Sequence, residues 1–518
     1  MNRNALLARL ARQPDWDVIV IGGGATGLGV ALDAAARRYS VALVEANDFA
    51  KGTSSRTTKL VHGGVRYLAQ GNLALVREGL RERANLLRNA PHLAQPLPFV
   101  MPAYRWWEKA YYGTGLVLYD VLAGRSGLGK TGFLTRDQTL QLSPTANPAN
   151  LRGGVKYWDG QFDDARLAIG LARTANEHGA CAVNYCKAVD LLRIAGRISG
   201  VVVEDTETSK RFEMHSRCVI NATGVWVDHV RDMDGSGGAQ MVAPSQGIHL
   251  VVDRSFLPSD HALLMPGTSD GRVLFAIPWL GKTLLGTTDT PRQDLEYEPR
   301  AFEEEIEFIL RESARYLSKA PGRADVRSIW VGLRPLVRPF ESHGGKTKAI
   351  SREHTVVIAK SGLVTVTGGK WTTYRAMAED VLEECFEHKL VKRRAAGVTA
   401  HLALIGAPEA SGIAISAPPG LHLYGTDAAT IAGMPGADHE LAPGFTEAMV
   451  RFAVRHEFAR SVEDVLARRS RLLFLDAAVA ASLAAEVGRI LKQELGEDFD
   501  AQRSVAEFGA LAKQYQLL

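Results

Sequence analysis

Apolar and polar positions change their period several times along this chain. Val18–Ile21 is a continuous apolar run closed by Gly22, the pattern of a short apolar strand. An alanine-rich stretch then predicts a helix, and "VALVE" (41–45) predicts the next strand. Across 231–327 short alternating segments, "HLVVD", "RVLFAIPW" and "TLLGTTDT", are split by Gly, Pro and Asp and predict an antiparallel sheet. Near Gly397 a Gly/Pro-rich run, "GAPEASGIAISAPPG", gives way to helical periodicity in "FTEAMVRFAVRHEF" and "LDAAVAASLAAEVGRILKQEL". No window offers the ~20 apolar residues of a spanning helix. No apolar core of a signal peptide precedes Pro14.

Composition narrows the function classes. A chain of 518 residues has room for two to four domains, and 23% charged with 46% hydrophobic residues is ordinary for a globular protein. Its net charge of +4, from 61 basic and 57 acidic residues, leaves no excess for neutralising phosphates, so nucleic acid is not an expected partner. The cysteines (Cys181, Cys186, Cys218, Cys385) form no C-x-x-C pair, and are expected as reduced thiols with no metal site.

Chemistry begins at the first turn. Gly22-x-Gly24-x-x-Gly27 lies between strand and helix, and Glu45 ends the following strand about 20 residues on, as a dinucleotide fingerprint requires. Gly22 makes the tight turn, Gly24 admits a pyrophosphate, and Gly27 lets helix and strand pack. Glu45 can accept ribose hydroxyls. No second complete fingerprint follows; "VINATGVWV" (219–227) is a strand ending in a short close turn. The polar run "NDFAKGTSSRTTKLVHGGVRYL" is more than a nicotinamide dehydrogenase needs, and suits an extended FAD whose flavin end is held far from its adenine. In "VTVTGGKWTTYRAM" (364–377) a strand, two glycines and a lysine precede a helix, a second turn suited to a charged group.

These stretches resemble the FAD-dependent glycerol-3-phosphate dehydrogenase family, aerobic and quinone-reducing. The motifs are "IGGGATGLGVALDAAAR", "TSSRTTKLVHGGVRYL", "PHLAQPLPF", "DDARL", "NATGVWV", "GIHLVV", "AIPWLGKTLLGTTDT", "VGLRPL", "ISREHTV" and "GGKWTTYRAMAED". The likeness is dense over residues 15 to 385, with a weaker echo in "RFAVRHEFARSVEDVLARRSRLLFLD". Two departures stand out: Arg37-Arg38-Tyr39 where the family closes its first signature with Arg-Gly, and Gln246-Gly247-Ile248-His249 where it shows Lys-Gly-Ser-His.

The resemblance implies a mixed α/β fold (α+β in part): a Rossmann-type FAD-binding domain of the glutathione-reductase/amino-acid-oxidase type, an antiparallel-sheet substrate domain and a C-terminal helical cap. With the motif positions, it sets a discontinuous FAD-binding domain at 1–70, 150–230 and 328–390, a substrate domain at 71–149 and 231–327, and the cap at 398–518. FAD is expected on Gly22, Gly24, Ala25, Thr26, Gly27, Glu45 and Ala46, then on Thr53, Ser54, Ser55, Lys59, Leu60, His62, Gly63 and Gly64. Ala188, Val189, Ala222, Thr223, Gly224, Trp226, Gly368, Gly369, Lys370, Trp371 and Thr372 complete that set.

A phosphorylated polyol needs clustered cations, and arginine's planar fork matches phosphate. Arg66, Arg334, Arg352 and Lys370 sit beside glycine turns or at strand ends. By the resemblance Arg334 and Lys370 face substrate and flavin, Arg66 and Arg352 hold the phosphate, and Tyr67 and Thr372 add contacts. His249, in an apolar strand beside a glycine, is the candidate base; a buried core histidine is its other reading. The catalytic set is then His249, Arg334 and Lys370.

The implied reaction is oxidation of sn-glycerol 3-phosphate to dihydroxyacetone phosphate with electrons passed to a quinone. An FAD oxidase of a related small substrate and a redox-sensing flavoprotein without turnover are the alternatives. Peripheral binding at the cytoplasmic face of an anionic membrane is expected from "NALLARLARQ", with Arg3, Arg9 and Arg12 reaching lipid phosphates, and from the aromatic "YRWWEKAYYGTGLVLYD". A homodimer is a further expectation.

Overall fold

The computed structural model describes residues 3–13, 15–64, 72–235, 238, 240–338, 354–410 and 412–517. Val18–Ile21 stands inside a six-stranded sheet, between Val219–Asn221 and Val41–Val44. Cys181–Val183 closes one side, and Val364–Gly368 then His354–Ile358 close the other. Neighbours run parallel except for that last pair. The strands Val18–Ile21 and Val41–Val44 are buried at every position, which is why their sequences are unbroken apolar runs rather than alternations.

The helix Ala25–Ala36 covers this sheet and packs against Tyr374–Glu387. Close approach there depends on Gly29, where a Cβ would stand 2.8 Å from the Tyr374 ring. The first departure from the family pattern falls at this helix's end. Arg38 has φ 66, the left-handed backbone that a glycine adopts more easily, so the turn survives at a cost of roughly 1–2 kcal/mol.

A second sheet of ten strands carries the remaining chemistry. Its strand Val242–Asp253 pairs antiparallel with Val326–Val337 on one side and Lys282–Gly286 on the other. Leu60–Val61, Gly153–Phe162 and Val326–Val337 join this sheet, so it draws on strands from the ranges 1–70, 150–230 and 328–390 as well as from 231–327. Apolar alternation identifies a strand, but not the sheet whose edge it meets. Helices Glu447–His456, Ala477–Leu495 and Ala501–Gln514 build the C-terminal part. It shares one apolar cluster with the second sheet, in which Phe474 and Leu491 join Trp279 and Trp330.

The N-terminal helix Arg3–Arg12 corrects an expectation. Arg3 is buried, 2.7 Å from Asp205, and also donates to the carbonyls of Asn184 and Tyr185. Arg9 donates to the carbonyls of Ala180 and Gly179, and Leu10 is fully buried. This amphipathic helix is docked on its own domain, so two of its arginines are engaged there rather than offered to lipid. The aromatic segment behaves differently. Trp106 is 82% exposed, and Trp107, Tyr111, Val117, Leu118, Val121 and Phe133 are also exposed along and beside the helix Glu108–Ala123. Among the described residues no helix is long and apolar enough to cross a membrane.

Candidate active site

The Gly22–Gly27 turn follows the carboxyl end of Val18–Ile21, Glu45 that of Val41–Val44, and Ala222–Gly224 that of Val219–Asn221, the ends at which open α/β sheets bind ligands. Gly22 has φ 110, and a Cβ on it would stand 2.7 Å from the Ala222 carbonyl oxygen. A Cβ on Gly27 would collide with the Gly22 carbonyl. Both positions require glycine, as the fingerprint argues. Glu45 accepts from the Gly23 amide at 2.7 Å and the Asn47 amide at 2.8 Å. Burial pushes its pKa up, and these two donors oppose the shift. The carboxylate is thus held at the turn, beside Ala46.

The loop after Glu45 folds back over this turn. Ser54 Oγ accepts from the Ala25 amide at 3.0 Å, and the Trp371 indole donates to the Ser54 carbonyl at 2.9 Å. Thr53 Oγ1 donates to Leu333 O, and Thr367 Oγ1 to Gly224 O. Trp226 stacks on Tyr297 at 4.4 Å, beside the turn of Thr223 and Gly224. Val189 is the extra residue where the ladder slips between Ala188 and Asp190, a bulge that re-aims the strand. Gly368 and Gly369 are both left-handed, with φ 81 and 74. Together with His62, Gly63, Glu78, His354 and Lys370, Gly369 lines a cavity of about 250 Å³; Thr372 is also on its wall. Leu60 is half-buried, and Gly64 has φ 85.

Two residues expected at the cofactor have partners within the protein. The Lys59 ammonium turns into the core, 2.7 Å from Asp164 and 2.7 Å from Ser55 O, while its main-chain N–H donates to Thr57 Oγ1 and its carbonyl accepts from the Phe162 amide. Gly63 N–H is taken by the Tyr119 hydroxyl at 2.8 Å. Buried positions with these partners are not visible in a polar run of sequence.

His249 is buried, its ring stacked on Trp330 at 5.3 Å, and Nε2 lies 3.0 Å from Thr58 Oγ1. Burial, then the charges of Lys59 and Arg334, push its pKa well below the ordinary histidine value, so the ring is neutral. Arg334 reaches the same region from the neighbouring strand, donating to Asp289 at 3.2 Å, Thr287 Oγ1 at 3.2 Å and Thr288 O at 2.8 Å. A Cβ on Gly247 would collide with Arg334 Nη2, so glycine there makes room for the guanidinium.

The second departure from the family pattern falls on the opposite face of this strand. Gln246 is buried between Glu305 and Arg292, and Ile248 lies in an apolar cluster with Ile306 and Ile309. Neither shares the His249 face. Arg66, Tyr67 and Arg352 lie outside the described residues.

Asp164 is a hub that sequence reasoning missed. Buried, it accepts from Thr57 N, Thr57 Oγ1 and Lys59 Nζ, and from Arg471 Nη2 at 3.0 Å. Burial pushes the Lys59 pKa down to about 7 against Asp164, with Arg471 adding to the fall. Burial also pushes the Asp164 carboxyl up, and Lys59 and Arg471 more than reverse it, holding it below the usual carboxylate range. Nearby, Asp48 accepts from Arg468 at 2.5 Å and from Arg469 at 3.0 Å. The available signals were "DDARL" and the arginine-dense "ARRSR", whose partners lie hundreds of residues away.

The glycine cradle, the held carboxylate and the folded-back loop fit an extended dinucleotide carrying a flavin. Residues 17–375 match the FAD dependent oxidoreductase family model, and 416–502 match the C-terminal domain of alpha-glycerophosphate oxidase. The fold and site therefore define an FAD-dependent oxidoreductase.

Glycerol-3-phosphate dehydrogenase, mitochondrial, of Homo sapiens is 40% identical over 535 residues, covering 96% of this chain and 73% of that one. The Arabidopsis thaliana mitochondrial enzyme SDP6 is 40% identical, over 96% of this chain and 86% of its own. The glycerol-3-phosphate dehydrogenase of Bacillus halodurans, solved with FAD, superposes with a TM-score of 0.79 at 30% identity, covering 99% of this chain and 97% of that one. This chain belongs to the glycerol-3-phosphate dehydrogenase family.

Proposed function

We propose that this protein oxidises sn-glycerol 3-phosphate to dihydroxyacetone phosphate and passes the electrons to a quinone at a membrane surface. The observation that carries the reading is the meeting of His249 and Arg334 on adjacent strands. The register sets His249 opposite Trp330 and Ser245 opposite Arg334, and Gly247 between them leaves space for the guanidinium. A neutral acceptor beside a fixed cation suits an anionic alcohol.

FAD, when bound by the glycine turns, Glu45 and the 53–64 loop, supplies the hydride acceptor. The chain's own residues do the rest. Arg334 and Lys370 hold the substrate, and Arg66 and Arg352 bind its phosphate. His249 takes the hydroxyl proton. Its burial against Trp330 keeps water from the ring, and its depressed pKa keeps it unprotonated until then.

The exposed Trp106, Trp107, Tyr111, Val117, Leu118 and Val121 support attachment to a membrane, with Arg105 and Lys109 beside them for anionic headgroups. On this reading the protein lies on the cytoplasmic face of the cytoplasmic membrane.

Formation of dihydroxyacetone phosphate in one equivalent per bound FAD, without any acceptor, tests the reaction. Stopped-flow reoxidation of the reduced protein tests the acceptor: a short-chain quinone should be faster than oxygen. Oxygen reoxidising it at the quinone rate would favour an oxidase.

A further inference from the structure

We propose that Thr58 is the positioning residue for His249: its hydroxyl accepts the Nε2–H, which fixes the ring tautomer and its orientation and keeps Nδ1 unprotonated. This rests on the function proposed above. Thr58 Oγ1, 3.0 Å from Nε2, is the one hydrogen-bond partner of the ring among the described residues. Nδ1 is buried and has none there. A buried N–H without an acceptor is rarer than a lone pair without a donor, so the proton belongs on Nε2, where an acceptor waits.

The ring cannot turn to choose otherwise. Trp330 stacks on one face at 5.3 Å with 21° between the planes, and the backbone at Gly286 closes on its edge. Thr58 is equally fixed. Its two neighbours in sequence, Thr57 and Lys59, both bond to buried Asp164. Arg471, fully buried and sent from the C-terminal part, clamps the same carboxylate and donates to Ser55 O at 2.9 Å. Moving Thr58 would break a buried charge cluster. The C-terminal part thereby reaches the proton acceptor through Arg471, Asp164 and the Thr57–Lys59 loop. The charged groups facing His249 are Lys59 on that loop and Arg334 on the adjacent strand, each with its own carboxylate, Asp164 and Asp289.

The test uses the FAD-loaded protein with ¹⁵N-labelled histidines. In wild type the His249 resonances should report a protonated Nε2 and an unprotonated Nδ1. Thr58→Val should mix the tautomers and slow flavin reduction by glycerol 3-phosphate about 10- to 100-fold at unchanged FAD content and nearly unchanged KM. Thr58→Ser should restore both. A protonated Nδ1 in wild type, or wild-type reduction in Thr58→Val, would overturn the proposal. If Thr58→Val loses its FAD, the wild-type spectrum and Thr58→Ser decide alone. If the wild-type flavin is not reduced by glycerol 3-phosphate at all, the function is wrong, and the tautomer measurement still judges Thr58.

Discussion

Gly286 faces His249 across two antiparallel strands, and a methyl group on it would collide with the imidazole at Cδ2 and stand 3.0 Å from Nε2. The ring is confined between this backbone and Trp330. Gly286→Ala should therefore lower kcat by displacing the ring, and overpacking should cost ~1–3 kcal/mol of stability. Enzyme kinetics beside thermal melts check this; an unchanged kcat would remove His249 from the chemistry.

Arg334→Ala should retain FAD and lose substrate. A hydrogen bond to a charged group contributes ~1.5–3 kcal/mol, so affinity should fall by roughly 10- to 100-fold. Flavin absorbance gives the cofactor content, and KM for glycerol 3-phosphate gives the loss. Lost FAD with normal KM in the retained fraction would assign Arg334 to the cofactor.

Acid stability should depend on Asp48 and Asp164. Burial pushes both carboxyls up, but Arg469 and Arg468 around Asp48, and Lys59 and Arg471 around Asp164, leave both below the ordinary value. A carboxyl depressed by folding adds stability that is complete above the unfolded value of ~3.9 and vanishes as pH falls through the folded value. Asp164→Asn should cost ~3–5 kcal/mol near neutral pH, because buried Lys59 loses its carboxylate and Arg471 keeps only Asp163 at 3.5 Å. Its melting temperature should then vary less than wild type below about pH 4. Equal steepness in both would show that Asp164 titrates alike in the folded and unfolded chains.

Membrane attachment should follow the exposed aromatics and not the N-terminal helix. Wild type should float with anionic liposomes at low salt, and a Trp106→Ser/Trp107→Ser variant should float less. Arg3→Ala should lower the melting temperature, since Arg3 pairs with Asp205 in the interior, yet leave flotation unchanged. Loss of flotation in Arg3→Ala alone, with the aromatic variant still floating, would reverse this assignment.

The local features of the site were legible in the sequence, and the long-range ones were not. Gly27 and Glu45 obey steric and hydrogen-bonding rules set within one βαβ unit, so their spacing announces them, although the Ala222 carbonyl that crowds Gly22 comes from far along the chain. His249 was singled out by its apolar strand and neighbouring glycine. Thr58, its hydrogen-bond partner, lies 191 residues earlier and looks like any residue of a polar loop. Arg471 and Asp164 are 307 residues apart and become a pair only through folding. The N-terminal helix shows the converse. An amphipathic stripe with arginines reads alike for a membrane and for a domain surface, and Asp205, which decides between them, is 202 residues away.

Anaerobic titration of the oxidised protein with glycerol 3-phosphate tests the central claim most directly. The expected result is stepwise bleaching of the flavin absorption, complete near one equivalent if the equilibrium favours reduction, while glycerol without its phosphate bleaches far more weakly. A flavin that stays oxidised with excess glycerol 3-phosphate, or is bleached instead by a D-amino acid, would contradict it.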